Sequence, residues 1–289
     1  MENQRAKKRS MAVEVWQRLT KNKMAMLGLA ILILLALCAI FADVIADYDT
    51  KVVAQHIPER LKGPSAEHWF GTDEFGRDIF ARMVHGSRVS LVVGLISVSV
   101  SLVAGGILGA FAGYYGGRVD NVIMRIMDIF LAVPSILLAI TIVAALGTSL
   151  VNVMLAIGIS GTPGFARIVR AAVMSVKDQE FVEASRAIGA SNITIIFREI
   201  IPNCMAPIIV QATLSVAGAI LSTASLSFIG LGVQPPDPEW GAMLSSGRNF
   251  LRDAMHLTLF PGLAIVITIL ALNLLGDGLR DALDPRLKQ

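Results

Sequence analysis

Residues able to do chemistry are sparse in this chain, and their spacings are not those of a reactive site. The four histidines, His56, His68, His85 and His256, are scattered along the sequence and build no obvious cluster. Asp73, Glu74 and Asp78 fall close together in "GTDEFGRD". They lack the one-three-five spacing with which a calcium loop presents its ligands, so no metal site is expected there. Cys38 and Cys204 lie in or beside apolar runs without CxxC spacing and are expected to be packing residues. There is no GxxxxGK[ST] phosphate loop, indeed no Gly-Lys pair, and neither HExxH nor GxSxG occurs. No catalytic residue, cofactor or metal is therefore expected, and ATP hydrolysis by a phosphate loop of its own is excluded.

The densest polar segment is "EASRAIGASNITIIFREIIPN", residues 183–203, set between long apolar runs. Its pattern predicts two short helices hinged at a glycine. Asp178 can cap the first, whose Phe181, Ala184, Ser185 and Ile188 share a face, and Gly189 suits the left-handed position that closes it. Ser191 can cap the second, with Ile193, Ile196, Phe197 and Ile200 on one face and Pro202 as its stop. The small residues Ala184, Ser185 and Ala187 leave backbone open to close approach by a partner. An amphipathic loop packed on its own membrane domain explains the same spacing equally well. A DNA-binding helix-turn-helix does not suit a segment tethered at both ends by membrane spans.

The elements that must hold this segment are apolar. The 289 residues are 54% hydrophobic and only 16% charged, well below the roughly 25% charged of a soluble domain, which identifies an integral membrane protein. A bilayer-spanning helix needs about 17–25 apolar residues. Uncharged stretches at 24–42, 89–117, 129–166 (too long for one helix and expected to turn near "LGTS", 146–149), 200–236 (spanning from after Pro207) and 254–276 then give six spans. The first is expected to be an anchor, because its apolar core exceeds the 7–15 residues of a signal peptide. Arg5, Lys7, Lys8, Arg9, Arg18, Lys21 and Lys23 precede it, and Arg286 and Lys288 close the chain. Both ends are accordingly expected in the cytoplasm, with 183–203 on the same side. In the first external loop, lysines and arginines are outnumbered by acids.

Within the spans, Gly105, Gly109 and Gly113 form a small-xxx-small face suited to helix packing. Gln211, Ser215, Gly218, Ser222 and Ser225 lie along one side of span five. They suit either hydrogen bonding to neighbouring helices or, for Gln211, Ser215 and Ser222 in particular, the lining of a translocation path. Arg125 and Asp128, three apart, can pair across one helical turn. "GTDEFGRD" is expected to be a polar turn followed by a short interfacial helix with Ile79, Phe80, Met83 and Val84 on one side. No charge sits firmly at mid-span, which argues against a proton-coupled secondary transporter or a voltage sensor.

The 183–203 segment resembles the EAA loop of permease subunits of ATP-binding-cassette (ABC) importers, whose pattern is EAA, three residues, Gly, nine residues, then I-x-L-P. Glu183, Ala184, Gly189 and Pro202 match in register; Ser185 stands at the third position, Glu199 at the isoleucine and Ile201 at the leucine. "WQRLTKNKMAMLGLAIL", "FGTDEFGRDIFARMVHGSRVSL" and "LSFIGLGVQPPDPEWGAML" resemble the dipeptide, oligopeptide and nickel branch, C-type subunit. The resemblance implies a type I importer permease fold, and a coupling loop (178–203, with Glu183, Ala184, Ser185, Gly189 and Pro202) that docks on a cytoplasmic ATPase. It also implies partners: a second, homologous permease, two ATP-binding subunits and an extracytoplasmic solute-binding protein, in a bacterial or archaeal cytoplasmic membrane. On this reading 1–88 holds the cytoplasmic tail, first span and external loop, 89–280 the permease core, and 281–289 the cytoplasmic tail. ATP binding would close the ATPase dimer and turn the membrane helices outward to receive di- or oligopeptides. Nickel or another small solute is the alternative cargo, and a channel or secondary transporter without ATPases the alternative class.

Overall fold

A computed structural model describes residues 11–283; the basic residues at 5–9 and at 286–288 lie outside that range. Ten helices organise the description: α1 (Met11–Leu19), α2 (Lys23–Ile40), α3 (Ile79–Tyr115), α4 (Gly117–Leu131), α5 (Ser135–Leu146), α6 (Leu150–Met174), α7 (Glu180–Ala187), α8 (Met205–Phe228), α9 (Trp240–Gly247) and α10 (His256–Leu283). Among the described residues β-pairing is limited to an isolated bridge between Thr72 and Asp78. Helices α2, α3, α6, α8 and α10 are each long and apolar enough to cross a bilayer, and the bent pair α4–α5 makes a sixth span if counted as one. The chain is an all-helical, multi-pass membrane protein.

Small residues set the helix spacing. A side-chain carbon added at Gly105 or Gly109 would run into the carbonyl oxygens of Thr162 and Ala166, and one at Gly113 would sit 2.8 Å from that of Arg170. The glycine stripe on α3 is thus the seam against α6, where lipid supplies no hydrophobic drive and close backbone contact must do the work. Gly28 does the same between α2 and α10, lying against Ala271 and Leu274. Val93, Val98, Val143, Val153, Ile157 and Ile220 fill the centre of the bundle.

The structure corrects the expected boundaries in two places. No separate interfacial helix follows "GTDEFGRD": α3 begins at Ile79, capped by Asp78, whose Oδ1 accepts from the Ala81 amide at 2.8 Å. It then runs 37 residues, about 55 Å at 1.5 Å per residue. Arg82, His85 and Arg88 do not end it, because each reaches a backbone carbonyl, Val52 O at 2.9 Å, Ala46 O at 2.7 Å and Ala39 O at 2.9 Å respectively. Charge therefore marks where α3 meets the end of α2 and the loop that follows it, and not where a helix stops. The second place is the stretch 129–166. It turns at Gly147–Ser149 as expected, with Gly147 at φ +91° and Ser149 capping α6. A further break at 132–134 bends α4 and α5 apart by 85°. Pro134 removes a helical N–H and disfavours helical geometry at Val133.

The Arg125–Asp128 pair does not form. Asp128 instead accepts from Arg167 Nη2 at 2.6 Å, and Asp120 from Arg170 Nη2 at 2.6 Å, so both carboxylates tie α4 to α6. An arginine N-terminal to its acid is the weaker intrahelical arrangement, and the cross-helix partners prevail.

The loop between α2 and α3 and the stretch before α9 meet in space at one end of the bundle. Trp240 Nε1 donates to Met83 O at 3.1 Å, and Tyr48 Oη donates to Asp237 Oδ1 at 2.8 Å. Burial of the ring, and then that bond, push the Tyr48 phenol up to about 12. Glu239, fully buried, caps α9 through the amides of Gly241 and Ala242 at 3.0 and 2.9 Å. Asp73, one of the acids of "GTDEFGRD", accepts from the amides of Phe75 and Arg77 at 2.9 Å and from Arg77 Nε at 2.6 Å, which accounts for it as a turn-forming residue.

Candidate functional site

The polar segment folds as the hinge its sequence predicts. Helix α7 closes on Gly189, at φ +83°, with the Ala190 amide on Ser185 O at 3.1 Å and the Gly189 amide on Arg186 O at 3.0 Å. That pair of bonds is the Schellman closure, which requires a left-handed residue at its centre. Space is open around Gly189, so only backbone conformation demands glycine there. Ser191 then caps the next turn, accepting from the Thr194 amide at 3.3 Å.

Details of the two faces differ from expectation. Asp178 is not the cap: Gln179 holds that position and makes no side-chain capping bond. The residue of α7 facing inward is Val182, fully buried, whereas Glu183, Ala184 and Ala187 are exposed and Ile188 is 85% exposed. In the following segment Asn192–Thr194 and Ile201–Asn203 are single α turns around a π-helical turn, Ile195–Ile200. The wider π turn rotates the inward face to Ile195, Ile196 and Ile200, all fully buried, and leaves Ile193 and Phe197 substantially exposed. Pro202 lies within the last turn, which ends one residue later at Asn203, and α8 begins at Met205 rather than after Pro207.

One face of the loop is therefore packed on the protein's own helices, as Val182, Ile195, Ile196 and Ile200 join Tyr114, Val169 and Val173 in a single core. On the opposite face Glu183, Ala184, Ala187, Ile188 and Gly189 are exposed. A contact that sequence reading missed fixes the two together. Tyr114, at the end of α3, donates to Asn192 Oδ1 at 2.8 Å, and the Arg186 guanidinium stands over its ring at 5.3 Å. A tyrosine closing a span beside a glycine pair was the available signal.

A second feature lies within the bundle. Gln211, Ser215, Gly218 and Ser222 of α8 border a cleft of about 240 Å³, with Ser97 of α3 and Ser160 of α6 opposite. Ser225, grouped with them by spacing, lies outside it and bonds back to Leu221 O. Gln211 donates to Ser215 within its own helix at 3.0 Å; among the described residues none of this stripe hydrogen-bonds to a neighbouring helix. The buried Ser97 hydroxyl has no partner among the described residues. The helix-bonding role weighed for the stripe is thus not what holds these helices together. Serines outside α8 belong to the cleft as well, and only the fold brings them there.

The chain matches the family described as binding-protein-dependent transport system inner membrane component over residues 105–289. Residues 10–64 match the N-terminal TM domain of oligopeptide transport permease C. It is 52% identical over 275 residues to the dipeptide transport system permease protein DppC of Alkalihalophilus pseudofirmus, covering 95% of this chain and 90% of that protein. It is 49% identical over 279 residues to the di/tripeptide transport system permease protein DppC of Pseudomonas aeruginosa (95% and 92% covered). The glutathione transport system permease protein GsiD of Escherichia coli is 48% identical over 275 residues (95% and 90%). Among solved structures, an inward-facing form of the MetNI methionine ABC transporter aligns with TM-score 0.57 at 20% identity, covering 70% of this chain and 96% of that one, which shows the fold alone.

Proposed function

The chain belongs to the family of binding-protein-dependent transport system inner membrane components, as a C-type permease of ABC importers, and we propose from this that its cargo is di- and tripeptides. The cargoes for which its relatives are named, dipeptides, di/tripeptides and glutathione, itself a tripeptide, support that range. On this reading the protein works with a homologous second permease, two cytoplasmic ATP-binding subunits and an extracytoplasmic binding protein. It sits in a bacterial cytoplasmic membrane with both termini inside. Residues 1–78 carry tail, first span and external loop, and the permease core runs from Ile79 to Leu283.

The observation that carries the proposed mechanism is the two-faced loop. Its inner face is welded to α3 and α6, and its outer face, Glu183, Ala184, Ser185 and Gly189 with the Pro202 turn behind, is the surface offered to an ATPase. A push on α7 is then transmitted through Val182, Ile195 and Tyr114 to the spans, and the energy comes from the partners' ATP. The serine-lined cleft with Gln211, Ser215 and Ser222 supplies this subunit's share of a path for peptide, whose amides and termini need hydrogen-bonding groups when they leave water. Proteoliposomes holding the four membrane and ATPase subunits, with binding protein supplied outside, are expected to accumulate a labelled dipeptide only with internal ATP. Peptide flux or ATP hydrolysis by this chain alone would refute the partner-driven account.

A further inference from the structure

We propose that Glu59, Glu67 and His68, in the loop between α2 and α3, form a binding site for a divalent transition-metal ion of the Zn²⁺ type. The three side chains bring a ring nitrogen and two carboxylate oxygens within 4.8 Å of one another. They border a cleft of about 360 Å³ that Lys51, His56 and Asp78 also line.

The orientation of His68 is the observation that points to a cation. Its Nδ1 lies 2.8 Å from Asp78 Oδ2. Asp78 accepts from the Nδ1 hydrogen, and the ring so held turns Nε2 toward Glu59. Nε2 is buried, has no hydrogen-bond partner among the described residues, and faces Glu59 Oε2 at 3.5 Å. A ring nitrogen and a carboxylate oxygen facing each other at this distance are held by a positive charge between them, a ring proton or a metal ion. A carboxylate behind the non-ligating nitrogen is also the arrangement that orients zinc-binding histidines and raises their basicity.

The surroundings are prepared for this use. The His68 amide donates to Ser65 Oγ at 3.0 Å and the Ser65 amide to His68 O at 2.8 Å, so the backbone carrying the ring is a closed turn. Asp78 uses its other oxygen to cap α3. Lys62 Nζ occupies Glu59 Oε1 at 3.0 Å and leaves Oε2 toward the histidine. Ligands on one tetrahedral zinc lie about 3.3 Å apart, given bonds of roughly 2.0–2.1 Å. Glu67 is exposed and makes no hydrogen bond among the described residues, so no hydrogen bond there opposes its turning toward the other two. Three protein ligands leave the fourth position to water. The bound ion would staple the external loop to the start of α3.

The full-length chain, purified in detergent through a tag without histidine, is titrated with Zn²⁺ against a fluorescent zinc indicator. One ion per chain is expected, with no change in Cys38→Ser or Cys204→Ser. Asp78→Asn, which keeps a helix cap but not the charge behind the ring, is expected to weaken binding about 10- to 100-fold. His68→Gln and the exposed Glu67→Gln are each expected to weaken it further. Absence of saturable binding by the wild type, as when a second ring proton takes the place between the acceptors, would overturn the proposal. Wild-type affinity in both His68→Gln and Glu67→Gln would overturn it equally.

Discussion

The hydroxyl of Tyr114, one residue from the end of α3, donates a 2.8 Å hydrogen bond to Oδ1 of Asn192 beyond the Gly189 hinge. This ties a 37-residue helix, which begins at the loop after α2, to the segment proposed to face the ATPase. Tyr114→Phe removes that bond and keeps the ring under Arg186. A net cost of about 0.5–1.5 kcal/mol falls on the link and not on the bundle. We expect wild-type abundance of the assembled complex, with peptide-stimulated ATPase activity and uptake reduced roughly two- to tenfold. Unchanged stimulation would show that the bond transmits nothing.

Gly109→Val places a branched side chain against the Ala166 backbone, whereas nothing lies within 4 Å of a side chain added at Gly106. Overpacking costs about 1–3 kcal/mol, so Gly109→Val is expected to lower the thermal transition of the purified chain while Gly106→Val leaves it in place. Equal tolerance of both would mean that the α3–α6 seam is looser than described.

For the cleft, Ser222→Phe adds a ring where α8 faces Ser97 and Ser160. Uptake of labelled dipeptide is expected to fall while the ATPases remain bound. Uptake at the wild-type rate would remove this cleft from the path.

Orientation is open to a direct test in intact cells, on a background with Cys38 and Cys204 replaced by serine. Ser65→Cys is expected to react with an impermeant thiol reagent from outside and Ala190→Cys is not. The reverse pattern would invert the proposed topology.

Much of this organisation is legible in the sequence because membranes impose simple rules. Apolar length marks the spans, Gly105, Gly109 and Gly113 mark a seam, and Gly189 marks a left-handed closure that the structure displays at φ +83°. What escaped reading depends on partners distant in sequence. Arg82, His85 and Arg88 look like the end of a span until the carbonyls of Val52, Ala46 and Ala39 are seen to receive them. Asp128 looks paired with Arg125 until Arg167 approaches from α6. The inward face of the polar loop shifted because a π turn at Ile195–Ile200 breaks the 3.6-residue period on which the expected face relied. His68 looked isolated because Glu59 and Asp78 meet it only once the loop between α2 and α3 folds.

The central claim, that the hinged loop couples ATPase to membrane helices, rests on Gly189. A β-branched residue at φ +83° costs about 1–3 kcal/mol or forces the two halves of the loop to straighten. The decisive measurement is ATP-driven dipeptide uptake and substrate-stimulated ATPase activity of the reconstituted complex carrying Gly189→Val, with both permeases quantified in the same membranes. The account predicts normal permease levels with uptake and stimulation largely lost, and a milder loss in the same direction for Glu183→Ala. Wild-type uptake in Gly189→Val, with the ATPase bound and stimulated, would contradict it and leave the loop as packing alone.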